Sequence, residues 1–252
     1  MRKLKVIGIG AGSPAHVTLE AIDALQQCSV VFALDKGATK HDLLDARRVI
    51  INTHAPHVRL VTVPDPPRDR NPQEYGTEVR DWHEARAVLL KQAIETELCD
   101  DSSSTNATGA FLVWGDPSLY DSTLRIIERM RNHGLEVDID VIPGITAIQA
   151  LTAAHAATLN RIGKPVLVTT GRRLAEAPEN TDRVVMLDGG AAWLEHARPE
   201  EEILWGAYLG TEKEVLRRGR IGDIGTEIAE LKQQLRAEHG WIMDIYLLRS
   251  VD

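Results

Sequence analysis

Three times in its first 150 residues the chain repeats one pattern: a short apolar run, a glycine, then a stretch with helix spacing. Residues 4–9 run into Gly8, Gly10 and Gly12, residues 110–114 into Gly115, and residues 136–142 into Gly144. A strand that stops at a glycine turn and feeds a helix is the repeating unit of a parallel sheet, because parallel neighbours need a crossover and the crossover is normally helical. Helix spacing over 18–27 (Leu19, Ile22, Leu25), an apolar run over 29–34, and helix character over 40–48, 75–98 and 118–132 complete a β-α-β-α order. The expectation for this half is a mostly parallel sheet with helices packed on it.

The second half has a different rhythm. A helix over 145–156 follows Pro143-Gly144, and strands then crowd together at 165–170, 183–187, 203–209, 214–218 and 242–248, with one clear helix at 225–237. Close-spaced strands point to more antiparallel pairing and a mixed sheet. The chain is therefore read as two α/β domains, 1–142 and 143–252, with the boundary at Pro143-Gly144. Residues 64–71 (PDPPRDRN) and 100–109 (DDSSSTNATG) are loops rich in turn-forming and polar residues.

Charge and cysteine content narrow the function. The formal net charge is −8, which argues against a nucleic-acid partner, whose phosphates need a basic surface. No run reaches the roughly 20 apolar residues that cross a bilayer, so no membrane partner is expected. The start, MRKLKVIGIGAG, reads as a first strand and not a signal peptide. Cys28 and Cys99 fit no metal or redox spacing, which suits a reducing, cytoplasmic setting.

Each glycine loop has an ordinary reading and a functional one. Gly8-Ile9-Gly10-Ala11-Gly12-Ser13-Pro14 suggests a dinucleotide turn, and Asp35 ends the next strand where an acid would meet a ribose. The third glycine of that fingerprint is replaced by Ser13, with a proline after it. In Trp114-Gly115-Asp116-Pro117-Ser118-Leu119-Tyr120, Asp116 could cap a helix or touch a ligand. The Pro143-Gly144-Ile145-Thr146-Ala147 loop repeats the arrangement on the next strand. Loops at the carboxyl ends of parallel strands are where open α/β sheets bind ligands. No G-x-S-x-G elbow marks a nucleophile. His54 and His57 lack a third ligand nearby, so no metal is expected.

Taken in order, the glycine-rich first turn, Gly115-Asp116-Pro117, Pro143-Gly144-Ile145-Thr146-Ala147, Leu209-Gly210-Thr211 and Arg218-Gly219 resemble the tetrapyrrole (uroporphyrinogen and precorrin) methyltransferase family over nearly the whole chain. The resemblance implies two domains, a homodimer, and S-adenosyl-L-methionine in the cleft between the domains, leaving as S-adenosyl-L-homocysteine. It implies cofactor contacts from Trp114, Gly115, Asp116 and Leu119, from Thr146 and Ala147, and from Leu187, Leu209 and Gly210. The first glycine loop would face the tetrapyrrole instead of cradling the cofactor. Two positions depart from the pattern: Trp114 stands where glycine is common before Gly-Asp-Pro, and Ala11 where proline is common.

Within the family, His16-Val17-Thr18-Leu19, residues 67–70, Tyr75 and residues 81–86 are similar to the deacetylating branch of cobalamin biosynthesis. That branch methylates carbon 1 of precorrin-5 and releases acetate. Asp35 and Tyr120 are the candidate catalytic groups for the deacetylation.

Helix geometry singles out a substrate-binding candidate. At about 100° per residue, Arg86 falls within the stripe of Tyr75, Val79, Trp82, Leu89, Leu90, Ala93 and Ile94, with His83 near its edge. An arginine in an apolar stripe either snorkels, pairs with a buried acid such as Asp69, or meets a carboxylate of the substrate with its fork. Arg68 and Arg70 would close over the same ligand. The rivals are a nicotinamide-dependent oxidoreductase, another S-adenosylmethionine-dependent enzyme of the same superfamily acting on RNA or a modified histidine, and a carrier with a decayed site.

Overall fold

The protein, a computed structural model, is described over residues 2–35, 37, 41–67, 75–98, 107–178 and 180–251. Arg68, Asp69 and Arg70 lie outside these residues, as does the side chain of Tyr75. The chain divides into two compact units, one of Met1–Gly10 with Pro14–Ile145, the other of Ala11–Ser13 with Thr146–Asp252.

The first unit runs β1 (Arg2–Gly8), α1 (Leu19–Gln26), β2 (Val30–Asp35), α2 (His41–His54), β3 (Arg59–Pro64), α3 (Tyr75–Glu97), β4 (Thr108–Val113), α4 (Thr123–Asn132) and β5 (Val137–Ile142). Its five strands lie in the order β3-β2-β4-β1-β5, and every pairing is parallel. Side chains alternate between two buried faces. Leu4, Val6, Phe32 and Phe111 pack with Leu90, Ile94, Ile127 and Met130 of α3 and α4. Ile7, Val31 and Leu112 pack with Leu25, Ile50 and Ile51 of α1 and α2. Burial on both faces is why these strands read as unbroken apolar runs. Each such side chain contributes about 1.5–3 kcal/mol.

Two boundaries differ from the sequence expectation. Helix character from residue 118 does not become helix until Thr123, because Tyr120 sits in the left-handed region at φ 51° and interrupts the turn. Arg59–Pro64 is an unannounced strand: it lies at the sheet edge, mostly half-buried or exposed, so its apolar signal is weak. Its closing proline suits an edge position.

The second unit runs α5 (Ala147–Ala154), β6 (Val166–Thr170), β7 (Asp182–Met186), α6 (Trp193–His196), β8 (Glu202–Ala207), β9 (Val215–Arg220), α7 (Ile221–His239) and β10 (Asp244–Arg249). The sheet order is β6-β7-β10-β8-β9. It is mixed: β6 and β7 are parallel, while β10 pairs antiparallel with both β7 and β8. Its core holds Trp193, Trp205 and Tyr246 against Ile228 and Leu235 of α7. Among the described residues, no helix is long and apolar enough to cross a membrane.

Candidate functional site

In the first unit all strands point the same way, so their carboxyl ends form one edge. At that edge β1 ends in Gly8, and β4 and β5 reach Gly115 and Gly144 through one further residue each, Trp114 and Pro143. The three backbones touch. A methyl group added at Gly144 would lie 2.2 Å from the Gly115 carbonyl oxygen and 2.8 Å from Gly8 Cα. Real Cβ atoms do not approach so closely, so glycine is required by packing as well as by turn geometry. Gly10 and Gly115 also exchange amide hydrogen bonds, at 3.3 and 2.8 Å.

Asp116 ties these loops together. One carboxylate oxygen accepts from the Ser118 amide at 2.8 Å and from the Ser118 hydroxyl, and the other accepts from the Gly144 amide at 2.8 Å. Burial works to raise this carboxyl. Hydrogen bonds from the Ser118 hydroxyl and the Gly144 and Ser118 amides outweigh it and hold the group below the usual carboxylate range. Asp116 is therefore ionised at neutral pH, with both oxygens taken up by protein donors. It is not the N-cap of α4, which is Ser122. Leu119, half-buried, and Tyr120, 43% exposed, follow in the same loop.

Two polar atoms near this edge are orphaned. His16 Nδ1 and Trp114 Nε1 are shut off from solvent and have no hydrogen-bond partner among the described residues. Buried polar atoms without partners are rare and call for an explanation. His16 lies over Gly10, where an added Cβ would meet the His16 Cβ at 2.3 Å. Asp35 ends β2 with its carboxylate exposed, one oxygen accepting from the Gly37 amide at 2.9 Å.

The glycine turn after β1 is not built like a dinucleotide site. Helix α1 starts only at Leu19, capped by Thr18, seven positions beyond Gly12, so the glycines do not open directly onto a helix N-terminus. Residues 11–13 belong to the second unit, where a Cβ on Gly12 would fall 2.1 Å from the Leu209 carbonyl oxygen.

That second unit also gathers its candidates at one sheet edge. Strands β7 and β8 flank the start of β10, with Met186 opposite Ile245 and Ala207 opposite Asp244. The chain leaves both strands through non-glycine residues in the left-handed region, Leu187 at φ 53° and Tyr208 at φ 50°. Such conformations cost energy and persist only when surroundings enforce them. Behind Leu187, Asp188 accepts from the Gly190 and Ala192 amides and the Tyr246 hydroxyl, all at 2.9 Å. Lys232 donates to the Asp188 carbonyl at 2.6 Å and pairs with Asp244 at 2.8 Å. Burial pushes the Asp244 carboxyl up, opposed by Lys232 and by the Trp205 indole, and the Tyr246 hydroxyl is driven well above its usual value by burial and by Asp188. This network turns Leu187 outward, 62% exposed. Behind Leu209 and Gly210, the Tyr208 hydroxyl donates to the Trp241 carbonyl at 2.5 Å, and the Gly210 amide donates to Glu214 at 2.7 Å. Thr146 caps α5 in a reciprocal capping box with Gln149, and Ala147 opens the helix half-buried.

Arg86 is buried, 3% exposed. Its fork is filled by Asp65, with Nε–Oδ1 and Nη2–Oδ2 both at 2.6 Å, and it lies 3.3 Å over the Trp82 ring. The acid that fills the fork is thus Asp65, the residue directly after β3 ends at Pro64, while the Asp69 named from sequence lies outside the described residues. His83 is half-buried and stacks on Trp82 at 5.5 Å. Among the described residues, no group of His, Cys, Asp and Glu side chains could hold a metal ion. Burial pushes the Cys28 thiol up to about 11, as for a core residue.

The chain matches the family of Tetrapyrrole (Corrin/Porphyrin) Methylases over residues 3–225. It belongs to that family. It is 47% identical over 255 residues to a precorrin-6A synthase [deacetylating] of Sinorhizobium sp, covering 99% of this chain and 96% of the relative. It is 50% identical to a cobalamin-synthesis-related protein (CobF) from Corynebacterium diphtheriae of known crystal structure, with a TM-score of 0.87 and full coverage of both chains. A uroporphyrin-III C-methyltransferase from Thermus thermophilus, crystallised with S-adenosyl homocysteine, shares the fold at 19% identity and a TM-score of 0.58, over 98% of this chain and 92% of that one.

Sequence reasoning named Gly8, Gly12 and His16 only as members of motifs, without their contacts, and overlooked Arg47. The glycine contacts are backbone against backbone, which no side-chain pattern records. Arg47 sits on an unremarkable helix and is taken up below.

Proposed function

We propose that this chain is a precorrin-6A synthase (deacetylating): an S-adenosylmethionine-dependent C-methyltransferase of cobalamin biosynthesis that methylates carbon 1 of precorrin-5 and releases acetate. The carrying observation is the near-full-length 47% identity to an enzyme of that name, supported by strand-end loops that resemble the family's pattern except at Trp114 and Ala11. The cofactor contacts are Trp114, Gly115, Asp116, Leu119, Thr146, Ala147, Leu187, Leu209 and Gly210. Their chemistry suits an adenosine and an amino-acid tail. They offer backbone amides and carbonyls held in fixed conformations, apolar side chains, and one orphaned indole donor.

S-adenosylmethionine supplies a methyl group already activated by its sulfonium. The protein then needs chiefly to align donor and acceptor and exclude water, which fits a site without a nucleophile triad. Asp116 holds two glycine loops in register. Asp35 and Tyr120, both exposed, are the proposed groups for handling the proton or water of deacetylation. Arg68, Arg70, His83 and Arg86 are the proposed tetrapyrrole-binding set, with Arg86 acting only if a ligand carboxylate competes with Asp65. The enzyme is proposed to work in the cytoplasm as a homodimer, which sedimentation equilibrium at micromolar concentration would test.

Titration calorimetry with S-adenosylhomocysteine and with NAD, run in parallel, tests the reading. We expect saturable binding of the first and none of the second at sub-millimolar concentration. NAD binding without S-adenosylhomocysteine binding would return the oxidoreductase alternative.

A further inference from the structure

Strands β2 and β4 pair only through Val30–Phe32 and Gly109–Phe111. Both run on, to Asp35 and Val113, without bonding each other. A cavity of about 110 Å³ lies at the split. Phe111, Val113 and Ile126 form its apolar wall, and Arg47, Asp121 and Ser122 its polar wall.

Arg47 reaches the split from α2. Its Nε donates to the Leu112 carbonyl at 2.9 Å and its Nη1 to the Leu43 carbonyl at 2.6 Å. The first bond serves a carbonyl next to where β4 loses its β2 partner. Nη2 has no partner among the described residues, and no carboxylate there lies within ion-pair distance of the guanidinium. Burial pushes Arg47 down to about 10, opposed by the charge of Asp121, so it remains a cation at neutral pH. The other charges facing the cavity are accounted for: Arg86 is spent on Asp65, Asp121 accepts from the Thr123 amide at 2.6 Å, and Asp35 is exposed at the rim.

A second feature converges on the same space. Ser122 and Thr123 are the cap and first residue of α4, and the Ser122 side chain makes no capping bond. The amino end of this ten-residue helix carries partial positive charge; the Asp121 carboxylate already takes the Thr123 amide, so the Ser122 hydroxyl is what this end offers to a ligand. A half-buried cation with a spare donor, a neighbouring serine hydroxyl that makes no capping bond and an apolar wall together describe a receptor for a small anion with an apolar tail.

We propose that this cavity binds a two-carbon carboxylate, its oxygens on Arg47 Nη2 and its carbon tail against Phe111, Val113 and Ile126. The size agrees: about 10–15 Å³ of such space holds one water, so about 110 Å³ accommodates a small carboxylate with water beside it and not a macrocycle. The identification as acetate rests on the deacetylating function proposed above. The released acid and an acetate arm of the ring present the same chemistry.

The test is a titration of the full chain with [1-13C]acetate followed by NMR, against sodium chloride at equal ionic strength. We expect saturable binding in the wild type. Arg47→Lys, which loses the fork, should weaken it about tenfold, the loss of one charge-assisted hydrogen bond. If Arg47→Lys does not fold, Ser122→Phe serves instead: it fills the cavity from the polar wall and removes no hydrogen bond made by the serine side chain. That variant should abolish acetate binding with S-adenosylhomocysteine affinity unchanged. Displacement of acetate by uroporphyrin, which bears acetate arms, but not by coproporphyrin, which has methyls in their place, would assign the cavity to the ring. Displacement by neither would assign it to the released acid. Displacement by both, non-saturable binding, or equal binding in wild type and Ser122→Phe overturns the proposal. Failure of S-adenosylhomocysteine to bind would overturn the methyltransferase reading and leave the cavity result standing.

Discussion

Asp116→Asn probes the junction of the glycine loops. The carboxylate accepts three hydrogen bonds, two from Ser118 and one from Gly144. Asparagine keeps one acceptor oxygen and turns an amide NH2 toward a donor, so one link is lost and replaced by opposed donors. A hydrogen bond to a charged group is worth about 1.5–3 kcal/mol, and partial exposure discounts it, giving about 2 kcal/mol. For a chain of this size that is a fall in Tm of about 4–8 °C, measurable by scanning calorimetry. Freed from Asp116, Gly144 and Gly115 lose their register, and S-adenosylhomocysteine should bind about tenfold more weakly. The pH dependence has a definite sign. The folded-state carboxyl is held below its usual value, so its stabilisation is complete above the unfolded pKa, about 3.9, and is lost as pH falls through the folded value. The gap between wild type and variant should therefore be constant from pH 5 to 8 and narrow only below about pH 4. A variant as stable as wild type at pH 7, or a gap that widens on acidification, refutes the reasoning.

Gly144→Ala should cost about 1–3 kcal/mol in urea denaturation, because its Cβ would sit 2.2 Å from the Gly115 carbonyl oxygen and neither backbone can yield freely. Lys232→Met strands the buried Asp244 carboxylate and should cost about 3–5 kcal/mol at pH 7. That acid already has a raised folded pKa, so its contribution is most favourable below the unfolded value and is lost as pH rises. The variant's deficit should accordingly be larger at pH 7.5 than at pH 5, as denaturation at the two pH values would show. Arg86→Lys breaks the fork on Asp65 and the stack on Trp82 and should lower stability by about 2 kcal/mol. Tetrapyrrole titration of the same variant tells whether Arg86 also serves the ligand: unaltered affinity leaves it a structural residue.

The parallel half of the fold was legible because its strands are buried on both faces and stop at glycines, as in Leu4–Gly8 and Gly109–Val113. The edge strand Arg59–Pro64 was not, since only Val63 is buried and the rest carries no alternation strong enough to stand out. Helix α4 was read several residues too long because Tyr120 breaks it through a backbone angle, not through a residue type that announces a break. At the site, Asp116 was visible as a strand-end acid, but its partner Gly144 is a backbone amide 28 positions away. Arg86 was visible as a misfit in an apolar stripe. Asp65 could not be told from Asp69, because acids four residues apart in one loop carry the same signal. Leu187 was placed only through family resemblance: its outward turn depends on Lys232, Asp244 and Tyr246, which are distant in sequence and meet only in the folded sheet.

The most direct measurement is a reaction with S-adenosylmethionine labelled at the methyl carbon and with precorrin-5, followed by 13C NMR of ring and supernatant together. We expect the label on carbon 1 of the ring and acetate released in equal amount. Label at another ring carbon, or methylation without acetate, would contradict the assignment of this chain as the deacetylating carbon-1 methyltransferase.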